Sequence, residues 1–324
     1  MMARAEGAAI VDTQAEVRKP RALRRGSVLL PFAPASPADF GKIVAGGEEL
    51  RRLGFQVADA TPLAPDGYFA GSAEARRAEL LNALGRDDVG ALVATRGGYG
   101  ASYILDGLAV PETSPPKVIL GYSDLTSLQS YLWMRHRWVG FYGPMLAAGL
   151  DAGAGAAKGY DKASLLAAVS ETGANWTLKL HGESLLAGEA AGRILGGCMT
   201  LVETTLGTPW ELDTRDAILV LEDRGMKPWQ VDRALMHLKQ AGKFDAVRGF
   251  VLGDFPDCEP PSGGSPTVRD VCVRILGTLG VPIVFGAPVG HTLRPMLTVP
   301  LGVRARLQAR GEGELETLEP AVVA

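Results

Sequence analysis

The chain has 324 residues, 47% of them hydrophobic and 21% charged, with a formal net charge of −3 at pH 7. This is the profile of a soluble globular protein with room for two domains, each with its own core. Without a basic excess, and with only 6% aromatic residues, the chain is not expected to bind nucleic acid or an anionic membrane surface, and no apolar run is long enough to span a bilayer.

Residues 1–25 mix Arg, Lys, Glu and Asp with alanine. Glu6, Asp12 and Glu16 interrupt every apolar stretch, so no secretory core is present. These residues read as a mobile tail on a cytoplasmic protein. A first strand follows at residues 27–30. A helix is expected over 37–53, with Ser36 as its N-cap and Gly54 as its stop. A second helix is expected over 73–84. Residues 90–95 form a buried strand that runs into Arg96-Gly97-Gly98-Tyr99-Gly100. The apolar run 117–120 ends at Gly121, then Tyr122-Ser123-Asp124 leads into a helix, and another strand lies near 139–142. Strands alternating with helices imply βαβ units and a mostly parallel sheet, which takes its ligands at the strands' carboxyl ends.

The small-residue stretch 150–157 opens a linker, and a short helix is expected over 162–170. Beyond it, strands are expected at 176–180, 190–195, 217–221, 249–253 and 283–285, with helices at 199–206 and 229–240. The strand at 190–195 is expected to break at Gly196-Gly197. The division is then a tail (1–25), an N-terminal α/β domain (26–160), a linker (161–173), a smaller C-terminal α/β domain (174–310) and a tail (311–324).

Ser123 sits between an apolar strand and a helix, where a sharp turn would expose its hydroxyl beside the helix's first N–H groups. That suits a nucleophile; it equally suits an N-cap. A serine nucleophile needs a base, usually histidine. Of the four histidines, His136 ends a helix, His181 sits in a polar turn and His237 lies on an amphipathic helix. His291 follows Gly290 after an apolar run and projects from a strand end. Glu222 and Asp223 close the run 217–221, and either suits an orienting carboxylate, or a structural ion pair with Arg233 or Arg193. Glu222 is the sharper candidate because it directly follows the apolar run. The loop 96–100 is no nucleotide-binding signature, but its glycines permit close backbone approach to an oxyanion. Cys198, Cys258 and Cys272 form no CxxC pair, and there is no HExxH, so neither metal nor cofactor is expected.

In colinear order, Ala94-Thr95-Arg96-Gly97-Gly98-Tyr99-Gly100, Gly121-Tyr122-Ser123-Asp124, Tyr142-Gly143-Pro144-Met145, Leu221-Glu222-Asp223, Val231-Asp232-Arg233 and Gly290-His291 resemble the LD-carboxypeptidase family of serine peptidases. The resemblance covers about residues 27–308. It implies a Rossmann-like N-terminal domain and a C-terminal domain of swivelling α/β type, with the site between them. It further implies Ser123 as nucleophile, Glu222 as orienter and His291 as acid/base, with backbone N–H groups of Asp124, Gly97 and Gly98 forming the oxyanion hole. The implied reaction is cleavage of a terminal D-Ala from the diamino acid of murein tetrapeptide, in peptidoglycan recycling, by a cytoplasmic homodimer acting on a small muropeptide. Alternatives are a peptidase of peptidyl-nucleotide antibiotics, with Trp210 or Trp229 stacking a base, and a non-catalytic small-molecule binder. Arg96, Arg193, Arg224 and Arg294 are candidates for holding the substrate carboxylate. Met226, Trp229, Tyr142 and Cys198 stand where the family commonly has Glu, Tyr, His and Asn.

Overall fold

Runs such as Val89–Ala94 and Val118–Gly121 are apolar on both faces, which suits strands covered by helices on either side. The computed structural model describes residues 16–60, 62–261, 264 and 266–324. Its first half contains β1 (Val28–Phe32), α1 (Phe40–Arg52), β2 (Gln56–Val57), α2 (Ala73–Leu84), β3 (Val89–Ala94), α3 (Ala101–Leu105), β4 (Val118–Gly121), α4 (Thr126–His136), β5 (Gly140–Tyr142) and α5 (Lys162–Ser170). The second half contains β6 (Thr177–Lys179), β7 (Glu183–Leu186), β8 (Gly188–Cys198), α6 (Met199–Thr204), β9 (Ala217–Glu222), α7 (Pro228–Gln240), β10 (Gly249–Gly253), α8 (Val268–Leu276) and β11 (Ile283–Ala287). It closes with β12 (Val299–Leu301), β13 (Arg304–Ala309) and β14 (Glu314–Thr317).

Two sheets result, ordered β12-β5-β4-β3-β1-β2 and β6-β14-β13-β8-β9-β10-β11-β7. In the first sheet β1 to β5 are parallel and β12 alone runs antiparallel, against β5. The chain order reverses between β1 and β3, so the loops leaving those strands flank a crevice. In the second sheet β8, β9, β10 and β11 are parallel neighbours. Alternation along β9 sends Ile218 and Val220 into a core shared with the first sheet, while Leu219 and Leu221 pack under α7 and α8. Glu222 continues the parity of Ile218 and Val220, so it points toward the first sheet. No helix among the described residues is long and apolar enough to cross a membrane.

Several expectations change. The helix expected at 37–53 starts at Phe40 because Asp39, not Ser36, caps it: the Asp39 side chain accepts from the Lys42 N–H at 2.9 Å. Gly196 and Gly197 do not break their strand; β8 continues through both to Cys198. A Cβ at Gly196 would fall 2.0 Å from the Val220 carbonyl oxygen, and one at Gly197 would fall 2.6 Å from Thr126 Oγ1. Glycine is therefore what lets β8 pack so closely against β9 and α4. The helix expected at 162–170 is present as α5, and its Leu165, Ala168 and Val169 are buried in the first core.

Neither expected tail is loose where it is described. Residues 1–15 lie outside the described residues, but Leu23 is 4% exposed and its N–H donates to the Val169 carbonyl at 2.8 Å. At the other end β14 pairs with β13, and the Ala22 N–H donates to the Val323 carbonyl at 2.7 Å. The two chain ends therefore clamp each other. Truncating Leu23 to alanine would leave a cavity in the first core and lower unfolding free energy by about 2–4 kcal/mol in urea titration. A loose tail would give no change.

Candidate functional site

Ser123 opens a short 3-10 turn, Ser123–Leu125, between β4 and α4, with φ +64°. A non-glycine residue in this left-handed region is strained by about 1–3 kcal/mol and persists only where the surroundings dictate it. Ser123 does not cap α4, whose N-cap position is Leu125. What holds the turn is its neighbour. Asp124 is 1% exposed, and its carboxylate accepts from the Ala101 N–H at 2.6 Å, at the end of the glycine-rich loop. Burial pushes the Asp124 carboxyl up to about 6, against the opposing pull of that N–H and of the Arg76 charge. Arg76, itself buried, donates to the carbonyls of Gly71 at 2.9 Å and Gly100 at 2.7 Å.

The glycine-rich loop then lies directly on the serine. A Cβ at Gly97 would fall 2.9 Å from Ser123 Cβ, 3.1 Å from its Oγ and 3.4 Å from the Asp124 nitrogen. Gly98 has φ +106°, and Ser36 fixes the next residue by accepting the Tyr99 N–H at 3.1 Å. The loops after β1 and β3 are thereby joined beside Ser123.

Glu222 ends β9 with no exposure at all. Its Oε2 accepts from the His291 backbone N–H at 2.9 Å and lies 2.9 Å from His291 Nδ1. Its Oε1 accepts a short hydrogen bond from the Tyr142 hydroxyl. Two glycines make room for the carboxylate: a Cβ at Gly253 or Gly290 would fall 2.4 Å from Glu222 Cβ or Cδ respectively. With Nδ1 engaged, His291 keeps Nε2 for other chemistry. Burial lowers its affinity for a proton, yet the Glu222 charge and hydrogen bond outweigh this and raise the imidazole pKa above 6.5. Asp223 has the opposite strand parity. It accepts from Thr200 N–H at 2.9 Å and hydroxyl at 2.6 Å, away from His291.

Ser123 and His291 line one cavity of about 330 Å³ with Gly97, Gly98, Arg96 and Arg224. A second chamber of about 400 Å³ adjoins it and shares Lys42, Tyr122, Arg224 and His291. The other histidines are elsewhere: His136 faces Glu112, His181 faces Glu312 and His237 faces Glu203. Of the four arginines, Arg193 is engaged by Glu319 and the Gly302 carbonyl, and Arg294 by Asp254. Arg96 and Arg224 line the cleft, Arg224 with its Nε held by Asp257 at 2.7 Å. The sequence reading passed over Lys42, because a lysine on an amphipathic helix reads as solvated. Among the described residues no group of three or more His, Cys, Asp or Glu side chains is placed to hold a metal ion.

Residues 31–143 match the model of the LD-carboxypeptidase N-terminal domain, and residues 191–307 that of the LD-carboxypeptidase C-terminal domain. The chain belongs to the LD-carboxypeptidase family. It is 34% identical over 293 residues to a probable murein peptide carboxypeptidase of Bacillus subtilis, covering 89% of this chain and 91% of that protein. It is 28% identical over 230 residues to the murein tetrapeptide carboxypeptidase of Pseudomonas aeruginosa, covering 69% and 74%. The fold is that of MccF in complex with glutamyl sulfamoyl guanosine, at TM-score 0.83 and 22% identity over 94% of this chain and 99% of that one.

Of the positions expected to depart from the family pattern, Cys198, Met226 and Trp229 lie in the second half of the chain and Tyr142 on β5 of the first sheet. Cys198 pairs with Glu222 across β8 and β9, and burial, then the Glu222 and Asp223 charges, hold its thiol protonated. Met226 Sδ lies 3.6 Å from Thr200 Oγ1, whereas Trp229 is exposed on α7. Tyr142 is the departure that touches the Glu222–His291 pair.

The strain at Ser123 predicts that Ser123→Gly is more stable than Ser123→Ala by about 1 kcal/mol, read by urea denaturation, since only glycine relaxes at φ +64°. Equal stability would contradict a strained turn.

Proposed function

We propose that the protein is a serine-type LD-carboxypeptidase that releases the terminal D-Ala from the diamino acid of a murein tetrapeptide. The observation that carries this reading is a strained serine sharing a cleft with a histidine whose Nδ1 is held by a fully buried carboxylate.

In the proposed cycle His291 Nε2 takes the Ser123 hydroxyl proton as Oγ attacks the amide carbon. The tetrahedral oxyanion is received by N–H groups of Asp124 and of the Gly97-Gly98 turn. The C–N bond then breaks as His291 returns the proton to the departing amine of D-Ala, leaving an ester on Ser123. Water, deprotonated by the same imidazole, releases the shortened peptide. Glu222 holds the ring and balances the imidazolium at each transfer. General acid–base help contributes about 10²–10⁴-fold and each oxyanion donor about 10²–10³-fold.

A carboxypeptidase must recognise the free carboxylate beside the cut bond. Arg96 is the cleft arginine we assign to it. It stands next to Gly97, and among the described residues its side chain makes one hydrogen bond, a long one of 3.4 Å to the Pro37 carbonyl. A cytoplasmic address would suit turnover of recycled wall peptides. The reading as a peptidyl-nucleotide peptidase asks for a base-stacking tryptophan in the cleft. Trp210 instead packs on Tyr131, with ring centroids 5.8 Å apart, in a separate cavity, and Trp229 is outside the cleft lining.

Three measurements test the reading. D-Ala release from purified murein tetrapeptide is expected from the wild type and is expected to fall by about 10⁴-fold or more in Ser123→Ala. A well-folded wild type that releases none would overturn the substrate. Arg96→Ala should lower kcat/KM by about 10–100-fold, and the penalty should vanish for a substrate whose terminal carboxylate is amidated. The pH profile has a definite sign. His291 must be neutral to act as base and its pKa is raised, so kcat/KM should rise with pH through a limb above pH 6.5. In Glu222→Gln the largest remaining influence is burial, with the smaller Asp223 and Arg224 charges opposing each other, so that limb should drop to lower pH while the rate falls.

A further inference from the structure

Tyr142 is the last residue of β5, and its side chain is completely buried. Its hydroxyl oxygen accepts the backbone N–H of Ser123 at 3.2 Å, and its proton goes to Glu222 Oε1. Because Glu222 Oε2 holds His291, one phenol oxygen lies between the backbone of the serine and the carboxylate behind the histidine. β5 belongs to the first sheet and β9 to the second, so the bond also joins the two sheets inside the site. The fit around the ring is close: a Cβ at Gly197 would fall 3.1 Å from Tyr142 Cε2. Burial first, and then the Glu222 charge, keep the hydroxyl protonated and so fix it as the donor to Glu222.

We infer that Tyr142 is a positioning residue, which sets the serine turn against the Glu222–His291 pair and tunes the basicity of that pair by its hydrogen bond to Oε1. This rests on the proposed serine mechanism but concerns a residue outside it. Without the phenol proton, Glu222 holds a less dispersed negative charge and binds the imidazolium more strongly. Without the phenol oxygen, the Ser123 N–H loses its acceptor and the strained turn loses a support. Tyr142 touches no reacting atom; it acts through Glu222 and the Ser123 backbone.

The test begins with NMR titration of the His291 ring in the whole protein, which needs no substrate. Tyr142→Phe should raise the imidazole pKa and move the acid limb of kcat/KM to higher pH. It should also lower kcat by about 10–100-fold with KM changed less than about threefold. A purely structural tyrosine would lower thermal stability and the active fraction but leave the titration where it was; that result in a folded variant overturns the inference. Site-specific incorporation of 3-fluorotyrosine at position 142, which leaves Tyr122 beside the His291 ring unaltered, covers the case where Tyr142→Phe does not fold. A more acidic phenol donates more strongly, so the His291 pKa should then fall; no movement would overturn the inference equally. If the wild type releases no D-Ala, the functional reading fails, while the titration still decides the role of Tyr142.

Discussion

A carboxylate with no exposure, enclosed between two sheets, sets the terms for this molecule. An ionised carboxylate taken out of water is unfavourable by several kcal/mol unless hydrogen bonds replace its hydration. Glu222 finds three donors on two separate segments: Tyr142 from β5, and the backbone and ring of His291 from the loop after β11. Tyr142 stands on the first sheet and Glu222 on the second, so the charge is satisfied only when the sheets are docked. After His291 the chain returns to the first sheet as β12, with Val299 registered against Tyr142. The same docking that satisfies the buried charge therefore builds the site.

The serine side of the cleft obeys a different constraint, that of close backbone approach. Ser123 is held in the left-handed region by neighbours that leave it little choice. Asp124 is tied to Ala101, Arg76 gathers the carbonyls of Gly71 and Gly100, and Gly97 presses on the serine with no side chain between. The strain lies where an exposed hydroxyl and nearby N–H groups are needed together, as expected when a fold stores strain for function. Charge within the cleft is mixed rather than uniform. Arg96, Lys42 and Arg224 stand with Asp39 at its walls.

Much of this was legible in the sequence where local physics decides the outcome. Helices α2 and α5 fall over 73–84 and 162–170 as read, because their caps and apolar spacing are local signals. Glu222 is preferred to Asp223 because it directly follows the run 217–221; the structure supplies the physical reason, strand parity, since Ile218 and Val220 face the core shared with the first sheet. What was not legible depends on contacts distant in sequence. Gly196-Gly197 looks like a strand break, but the glycines are there to admit Val220 and Thr126. Residues 16–25 and 311–324 look like tails because several of their partners are distant in sequence: Ala22 meets Val323, Leu23 meets Val169 and Thr317 meets Trp176. Tyr142 looked like a mere departure from a family pattern, since nothing local shows that its hydroxyl reaches residues 123 and 222 together.

In the proposed reaction Ser123 becomes covalently acylated at a cleft completed by both sheets. The most direct measurement is intact-protein and peptide mass spectrometry of enzyme quenched in acid during turnover of murein tetrapeptide, or of an ester analogue that acylates faster than it is hydrolysed. The expected result is a transient mass increase equal to the substrate's acyl portion without D-Ala, mapped to Ser123 and absent from Ser123→Ala. An adduct on another residue, or undiminished turnover by Ser123→Ala, would contradict it.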